Sequence, residues 1–178
     1  MDKIKVYDNF LNNEELNKVI ELVTKKTWIF GQRSNQDRIY NQKNIPFWQM
    51  ELEDEDYFKV DMVELIKSKC KKNLMLKKVY ANGQTFGQDG SYHKDSEETN
   101  CLTFCLYLPD FDTKFDENVC GYLLIKIPDS IHNVYYETPF NRAIIFPSHY
   151  SHKGLAYNRF ISSLRVSIVW KFEETKDT

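Results

Sequence analysis

The second half of the chain is a succession of short strand-like segments, and this feature constrains the fold most. The segments LMLKKVYANGQ, LTFCLYL, GYLLIKI, RAIIFP and SSLRVSIVWKF are rich in β-branched and aromatic residues, and turn-prone stretches separate them. Helical patterns precede residue 73 instead. Helices followed by a run of strands favour an α+β, mainly β fold, in which N-terminal helices pack on one face of a jelly roll.

Two helices are predicted in the N-terminal part. The sequence NNEEL at 12–16 places an Asn cap and negative charge at a helix start, and apolar residues follow at helical spacing to about residue 24. Its apolar stripe is expected to pack against a sheet. A second helix is predicted at about residues 54–71. Residues 27–46 are predicted to be irregular, apart from a short strand at 28–30.

Composition predicts one soluble globular domain spanning residues 1–178. Of the 178 residues 42% are hydrophobic, with only 6 Gly and 5 Pro, which excludes disordered and collagen-like chains. The formal net charge of -2 argues against nucleic acid or an anionic membrane as a partner, and no apolar run approaches the roughly 18 residues of a membrane span. The sequence has no linker and no internal repeat, which favours one domain. Within it, residues 1–73 form a helical and irregular part and residues 74–173 form a strand-rich core.

The four cysteines are predicted to be reduced thiols. Cys70, Cys101, Cys105 and Cys120 form no CxxC pair, and a chain of this length can bury a core without disulfides. We therefore expect an intracellular, cytoplasmic protein.

A metal site is indicated by the histidines, all four of which lie in the strand-rich half. In GSYHKDS, His93 and Asp95 are two residues apart, so in an extended strand they project from the same face. An HxD triplet alone is weak evidence. However, IIFPSHYSHKG supplies two candidate third ligands, His149 and His152. Two imidazoles and one carboxylate form the facial triad of non-haem Fe(II) oxygenases, which leaves metal positions open for a cosubstrate and dioxygen.

A carboxylate-binding strand follows these histidines. In LRVSIVW, Arg165 and Ser167 alternate onto one strand face. A guanidinium group can bind a carboxylate through two hydrogen bonds, and a nearby hydroxyl can add one more. The alternative is a structural ion pair of Arg165. This strand and the histidine pattern together lead us to expect a dicarboxylate cosubstrate.

Five segments of the chain, taken in order, resemble the Fe(II)- and 2-oxoglutarate-dependent oxygenases of the prolyl 4-hydroxylase-like group. They are KVYANGQTFGQDGSYHKDS, TFCLYL, GYLLIKIP, IIFPSHYSHKG and LRVS. The resemblance covers about residues 76–172, and VYDNFLNNEEL resembles the group's opening strand and helix. It implies a double-stranded β-helix core. The site residues implied are Fe(II) ligands His93, Asp95 and His152, the distal-carboxylate ligand Arg165, and the cosubstrate contacts Tyr107, Tyr80 and Ser167. For Tyr80, a purely structural buried tyrosine is an equal alternative.

Two departures leave the register of the third ligand open. Cys120-Gly121 stands where relatives usually have Gly-Gly, which is expected to alter a turn and not the chemistry. His152 precedes Arg165 by thirteen residues, longer than the commonest family spacing, whereas His149 precedes Arg159 by ten. His152 is preferred because Lys153-Gly154 completes the family pattern H-x-G. His149 is then expected in a loop or behind the ligands, and His132 on the surface.

The resemblance implies a dioxygenase that hydroxylates an unactivated C–H bond and releases succinate and CO2. A prolyl residue of a peptide or protein is the leading substrate, and a small molecule such as a free amino acid is the alternative. Fe(II), 2-oxoglutarate and O2 are implied, with ascorbate as a further candidate cofactor. Polar loops at 33–46 and 110–118 are candidate lids. A cupin-like binding module with incidental histidines, and a metal-dependent cupin isomerase or hydrolase, are the competing hypotheses.

Overall fold

The computed structural model describes residues 4–35, 44–108 and 119–175 of the chain. Ten strands and two helices follow one another in these ranges. In chain order they are β1 (Lys5–Tyr7), α1 (Asn13–Lys25), β2 (Ile29–Gln32), β3 (Phe47–Glu51), a π-helical segment (Tyr57–Asp61) that continues into α2 (Met62–Cys70), β4 (Leu74–Gln84), β5 (Cys101–Leu108), β6 (Leu123–Lys126), β7 (Asn133–Tyr136), β8 (Arg142–Pro147), β9 (His152–Gly154) and β10 (Arg165–Glu174).

The strands form two antiparallel sheets. The major sheet has seven strands in the order β1-β8-β5-β10-β4-β3-β2, and the minor sheet has three in the order β7-β6-β9. The predicted mainly β, jelly-roll fold with helices on one face is confirmed. The N-terminal part also contributes three strands to the major sheet, of which β3 was not predicted.

Two hydrophobic cores occupy the two faces of the major sheet. The larger core joins the helices to one face, where Val19 of α1, Ile66 of α2 and Trp170 of β10 are buried. The smaller core lies between the sheets and includes Ile125 of β6 and Phe146 of β8. Because side chains alternate along a strand, each central strand supplies both cores. The side chains of β4, β5 and β10 that line the cavity described below lie on the same face as the smaller core.

Local sequence signals account for the helix boundaries. The Asn12 side chain accepts a hydrogen bond from the Glu15 backbone N at 2.9 Å, and Glu15 Oε2 accepts one from the Asn12 N at 2.8 Å. This capping box confirms the predicted start of α1. The second helix begins with its π-helical segment at Tyr57, three residues later than predicted, and ends where Lys71 turns into the left-handed region at φ 53°.

Several sequence predictions concern features outside the described residues or only partly within them. Residues 36–43 of the first candidate lid and all of the second, 110–118, lie outside the described ranges. The four cysteines lie within them and are free thiols. Their redox state in the cell, and the cytoplasmic location inferred from it, stay predictions. No helix in the described part of the chain has the length and apolar character needed to cross a bilayer.

Candidate metal centre

Backbone pairing brings the two candidate histidines together. His93, in the segment after β4, exchanges backbone hydrogen bonds with His152 of β9, at 3.0 Å and 2.9 Å. Their ring centroids are 4.4 Å apart. The Asp95 backbone N donates to the Ser148 carbonyl at 3.0 Å, which fixes the carboxylate beside both rings. As a result, the ligand atoms of His93, Asp95 and His152 all lie within 4.8 Å of one another.

Hydrogen bonds to the backbone determine how the two imidazoles are oriented. Nδ1 of His93 lies 3.0 Å from the Ser91 carbonyl, and Nδ1 of His152 lies 2.9 Å from the Tyr150 carbonyl. A carbonyl only accepts, so each Nδ1 holds the proton and each Nε2 presents its lone pair. These Nε2 atoms lie 3.7 Å and 3.4 Å from the carboxylate oxygens of Asp95.

Two donors anchor the Asp95 carboxylate, whose side chain is only 3% exposed. The Thr103 hydroxyl donates to Oδ2 at 2.7 Å and is 2.9 Å from the Ser148 hydroxyl, while the Lys171 ammonium lies 2.8 Å from Oδ1. Burial alone would raise the pKa of Asp95. Its interactions with His152, Lys171 and His93 instead hold this pKa well below its usual range.

Burial of His93 keeps its imidazole neutral at physiological pH. Loss of hydration, and then the neighbouring His152, lower the pKa of His93 from 6.5 to about 4, although Asp95 acts in the opposite direction. A neutral imidazole is the form that binds a metal ion. The cluster therefore offers two nitrogen donors and one anionic oxygen, which suits a divalent first-row transition metal.

Arg165 faces the same cavity, whose volume is about 270 Å³. The residue is 2% exposed, and its Nε donates to the Gly121 carbonyl at 2.8 Å while Nη1 donates to Gln84 Oε1 at 2.9 Å. Nη2 is buried without a hydrogen-bond partner. Among the described residues no carboxylate forms an ion pair with Arg165, which argues against the structural ion pair considered above. The arrangement holds a fixed cationic donor ready for an anionic ligand.

The predicted cosubstrate contacts Tyr107, Tyr80 and Ser167 also line this cavity. The centroid of the Tyr107 ring lies 5.2 Å from Cζ of Arg165. Burial raises the pKa of both phenols well above the usual value, so each hydroxyl keeps its proton and can donate. Ser167 lies two residues after Arg165 on β10 and is buried on the same face.

The residues of the alternative register do not reach the cavity. His149 packs edge-on against Tyr150 at 5.0 Å, and its buried Nδ1 has no hydrogen-bond partner. Arg159 and His132 are exposed. The structure therefore brings His152 and Arg165 together with the HxD pair, and leaves His149 and Arg159 apart.

Two glycines allow the close packing around Arg165. Cys120 and Gly121 both have positive φ, 66° and 75°, which explains why a glycine pair would suit this turn. A Cβ at Gly121 would lie 2.5 Å from Cε1 of Tyr157. A Cβ at Gly154 would lie 3.1 Å from Gln84 Oε1 and 3.2 Å from Arg165 Nη1. The glycine of the H-x-G pattern thus leaves room for the Gln84–Arg165 hydrogen bond.

Sequence reasoning missed three residues of the site, Thr103, Gln84 and Lys171. Strand alternation could have found two of them, because Lys171 continues the series 165, 167, 169 on β10 and Thr103 precedes Cys105 and Tyr107 on β5. Gln84 has no such signal: it is the cross-strand partner of Arg165, and only the strand register reveals the pair.

Comparisons with solved structures agree with this architecture. A prolyl hydroxylase from Trichoplax adhaerens, in complex with a peptide fragment of the hypoxia inducible factor oxygen degradation domain, matches with a TM-score of 0.68 and 16% identity over 97% of this chain and 84% of its own. An oxidoreductase of the 2OG-Fe(II) oxygenase family from Burkholderia pseudomallei matches with a TM-score of 0.70 and 8% identity, over 97% and 85% of the two chains. A prolyl-4-hydroxylase from Pseudomonas putida matches with a TM-score of 0.61 and 14% identity, over 98% and 94%.

No protein-family model matches the chain, and no curated protein matches it. The likeness to solved structures establishes the fold: this chain has the double-stranded β-helix architecture of 2-oxoglutarate- and Fe(II)-dependent oxygenases.

Proposed function

We propose that the chain is a single Fe(II)- and 2-oxoglutarate-dependent dioxygenase domain, residues 1–178, with its catalytic core at 74–173. The observation that supports this most directly is one cavity that contains both a two-histidine, one-carboxylate cluster and a buried arginine with an unpartnered nitrogen. Either feature alone occurs in other proteins. Their combination in a fold shared with 2-oxoglutarate oxygenases favours this function over a cupin-like binding module.

The residues present fit an iron ion. His93, Asp95 and His152 would hold Fe(II) through their Nε2 and carboxylate oxygen atoms, because Nδ1 of each ring is already bonded to a backbone carbonyl. Thr103 keeps the carboxylate from rotating through its 2.7 Å hydrogen bond. Removal of a hydrogen bond that holds a metal ligand in place typically weakens metal binding by about 10–100-fold.

The residues around Arg165 fit 2-oxoglutarate. Arg165 would bind the distal carboxylate through Nη2, with Gly121 and Gln84 holding the guanidinium in place. Tyr107 and Ser167 would donate further hydrogen bonds to that carboxylate, and Tyr80 would contact the cosubstrate from β4. A charged donor held in a buried cavity binds strongly because little solvent competes for it.

When bound, Fe(II) and 2-oxoglutarate would supply an oxidative decarboxylation, coupled to hydroxylation of an unactivated C–H bond, with succinate and CO2 as coproducts. The task of the protein is to position the substrate and exclude water. The buried walls formed by Tyr107, Cys105 and Leu123 contribute to water exclusion.

A prolyl residue of a peptide or protein is the substrate we propose. The support is the match to two prolyl hydroxylase structures, one of which was solved with a bound peptide. Because a fold determines chemistry more closely than substrate choice, free proline and other small molecules belong in the same assay.

The test is an anaerobic titration of the protein with Fe(II) and then 2-oxoglutarate, observed through the weak visible metal-to-ligand band of the chelate. We expect the band to appear and saturate, and succinate to form when O2 and prolyl peptides are added, with and without ascorbate. A well-folded protein that gives no band would contradict the proposal and favour the binding module. If that protein binds Fe(II) all the same, the cupin isomerase or hydrolase would be favoured instead.

A further inference from the structure

Two lysines lie side by side next to the candidate metal centre. Lys171 of β10 and Lys78 of β4 are directly opposite each other in the antiparallel pair. Their ammonium groups lie 5.6 Å and 5.5 Å from the centroid of the same ring, that of Tyr80. Like charges opposite each other in a sheet are destabilising, so packing alone does not explain this pair.

The cavity itself has an excess of positive charge. Among the described residues that line it, Arg33, Lys94, Arg165 and Lys171 are cationic and Asp95 is the one carboxylate. Lys94 has its own partner, Glu97, at 2.7 Å. Under the proposed function, 2-oxoglutarate would balance the charge of Arg165, and the metal ion would take up the charge of Asp95. The ammonium of Lys171 would then lose most of the compensation that it has in the metal-free protein.

Lys171 is also accessible from the cavity. Its side chain is 29% exposed, whereas the Asp95 side chain that it contacts is 3% exposed. The lysine therefore contacts the buried carboxylate while its own side chain stays partly exposed. A substrate in this cavity would lie near this charge, because Lys171 and the three ligand residues line the same cavity.

We propose that Lys171, with Lys78 beside it, binds a carboxylate of the primary substrate at the rim of the cavity. This inference rests on the proposed function and narrows its substrate class to acidic molecules. The carboxylate can belong to an acidic side chain of a peptide or to a small carboxylic acid. Both sources offer the same chemistry, and the experiment below distinguishes them.

The experiment uses the full chain saturated with Mn(II) and 2-oxoglutarate, which gives a complex for binding measurements without turnover. Matched acid and amide pairs are added, and the paramagnetic broadening of their proton NMR signals reports binding near the metal. One pair is N-acetylproline and N-acetylprolinamide, and the other is the N-acetylated, C-terminally amidated dipeptide Pro-Asp and its Pro-Asn counterpart. We expect at least one acid to reach half-broadening at about fivefold lower concentration than its amide, as for a partly exposed ion pair.

Variants then assign the preference to the lysines. Lys171→Gln is expected to abolish the acid preference, Lys78→Gln to reduce it, and Lys171→Arg to retain it. Lys77→Gln is the matched control, because it removes the same charge from the residue next to Lys78 on β4. The Lys77 ammonium is paired with Glu173 at 2.6 Å. Mn(II) and 2-oxoglutarate occupancy is measured in each variant and equalised.

Several results would overturn the inference: amides that bind as well as acids in both pairs, no broadening of any acid, or an acid preference that survives in Lys171→Gln. Lys171 would then serve only as the partner of Asp95. Failure of the proposed function has a different signature, since 2-oxoglutarate would not bind the Mn(II) protein at all, and the inference would fall with it.

Discussion

Replacing Arg165 with lysine is expected to weaken 2-oxoglutarate binding by about tenfold to 150-fold. Two of the three guanidinium nitrogens already donate to Gly121 and Gln84, and the third, Nη2, is the one that remains for the proposed cosubstrate. The single ammonium of a lysine cannot donate to the Gly121 carbonyl, Gln84 Oε1 and the 2-oxoglutarate carboxylate at once. Loss of a charge-assisted hydrogen bond costs about 1.5 to 3 kcal/mol, which corresponds to the stated range at about 1.4 kcal/mol per decade.

The same substitution is expected to destabilise the protein. Gln84 Oε1 loses its donor in a buried site, and one unsatisfied group costs about 1 to 3 kcal/mol. The Gly121 carbonyl keeps the 2.7 Å hydrogen bond that it accepts from the Thr138 hydroxyl. The free energy of unfolding of the metal-free variant, from urea denaturation, should therefore fall. Gln84 itself stays anchored, because its Nε2 donates to the Gln88 carbonyl at 2.7 Å and to the Gly154 carbonyl at 3.2 Å.

The binding assay is the anaerobic titration of Fe(II)-loaded protein with 2-oxoglutarate. Fe(II) affinity should barely change, because Arg165 is not among the clustered ligand residues. Arg159→Lys is the matched control, since Arg159 is exposed and does not line the cavity. An unchanged 2-oxoglutarate Kd in Arg165→Lys, combined with reduced stability, would refute the reasoning and leave Arg165 as a structural support for β4 and the Gly121 turn.

Three further predictions test the metal centre. Asp95→Asn removes the single anionic ligand with little change in volume, and we expect loss of Fe(II) binding and of turnover; full activity would disprove the triad. His152→Ala should abolish Fe(II) binding, whereas His149→Ala should retain it, because only His152 contacts the cluster; the reverse order, measured by metal titration of folded variants, would show that the register is wrong. Thr103→Val removes the hydroxyl that holds Asp95 and should weaken Fe(II) binding by about 10–100-fold, while Thr103→Ser should restore it; equal affinities in both variants would contradict this role.

The fold could be predicted from sequence because its signals are local. Capping at Asn12 and the apolar spacing of α1 identify a helix from adjacent residues, and β5 and β10 are long enough to show strand composition. The short strands β3, β7 and β9 have three to five residues each, so pairing with neighbours determines them more than their own composition does.

Part of the site could be predicted because some of its residues lie two positions apart on one strand-like segment. His93 and Asp95 share a face by alternation, as do Arg165 and Ser167. The rest depends on contacts between segments distant in sequence. Lys171 meets Asp95 across 76 residues and Gln84 meets Arg165 across 81. Alternation along β10 places Lys171 on the cavity face, but no local pattern encodes which residue either side chain contacts.

Strand β10 shows why fold and site are specified together. Its residues alternate between two environments, with Ile168 and Trp170 in the helix-facing core and Arg165, Val169 and Lys171 on the cavity face. A shift of one residue in the register of β10 would exchange these faces, placing a guanidinium and an ammonium in the apolar core and an indole in the cavity. Burial of two unpaired charges would be far too costly for such an alternative to compete. The apolar residues that stabilise the major sheet therefore also fix which side chains face the candidate metal centre.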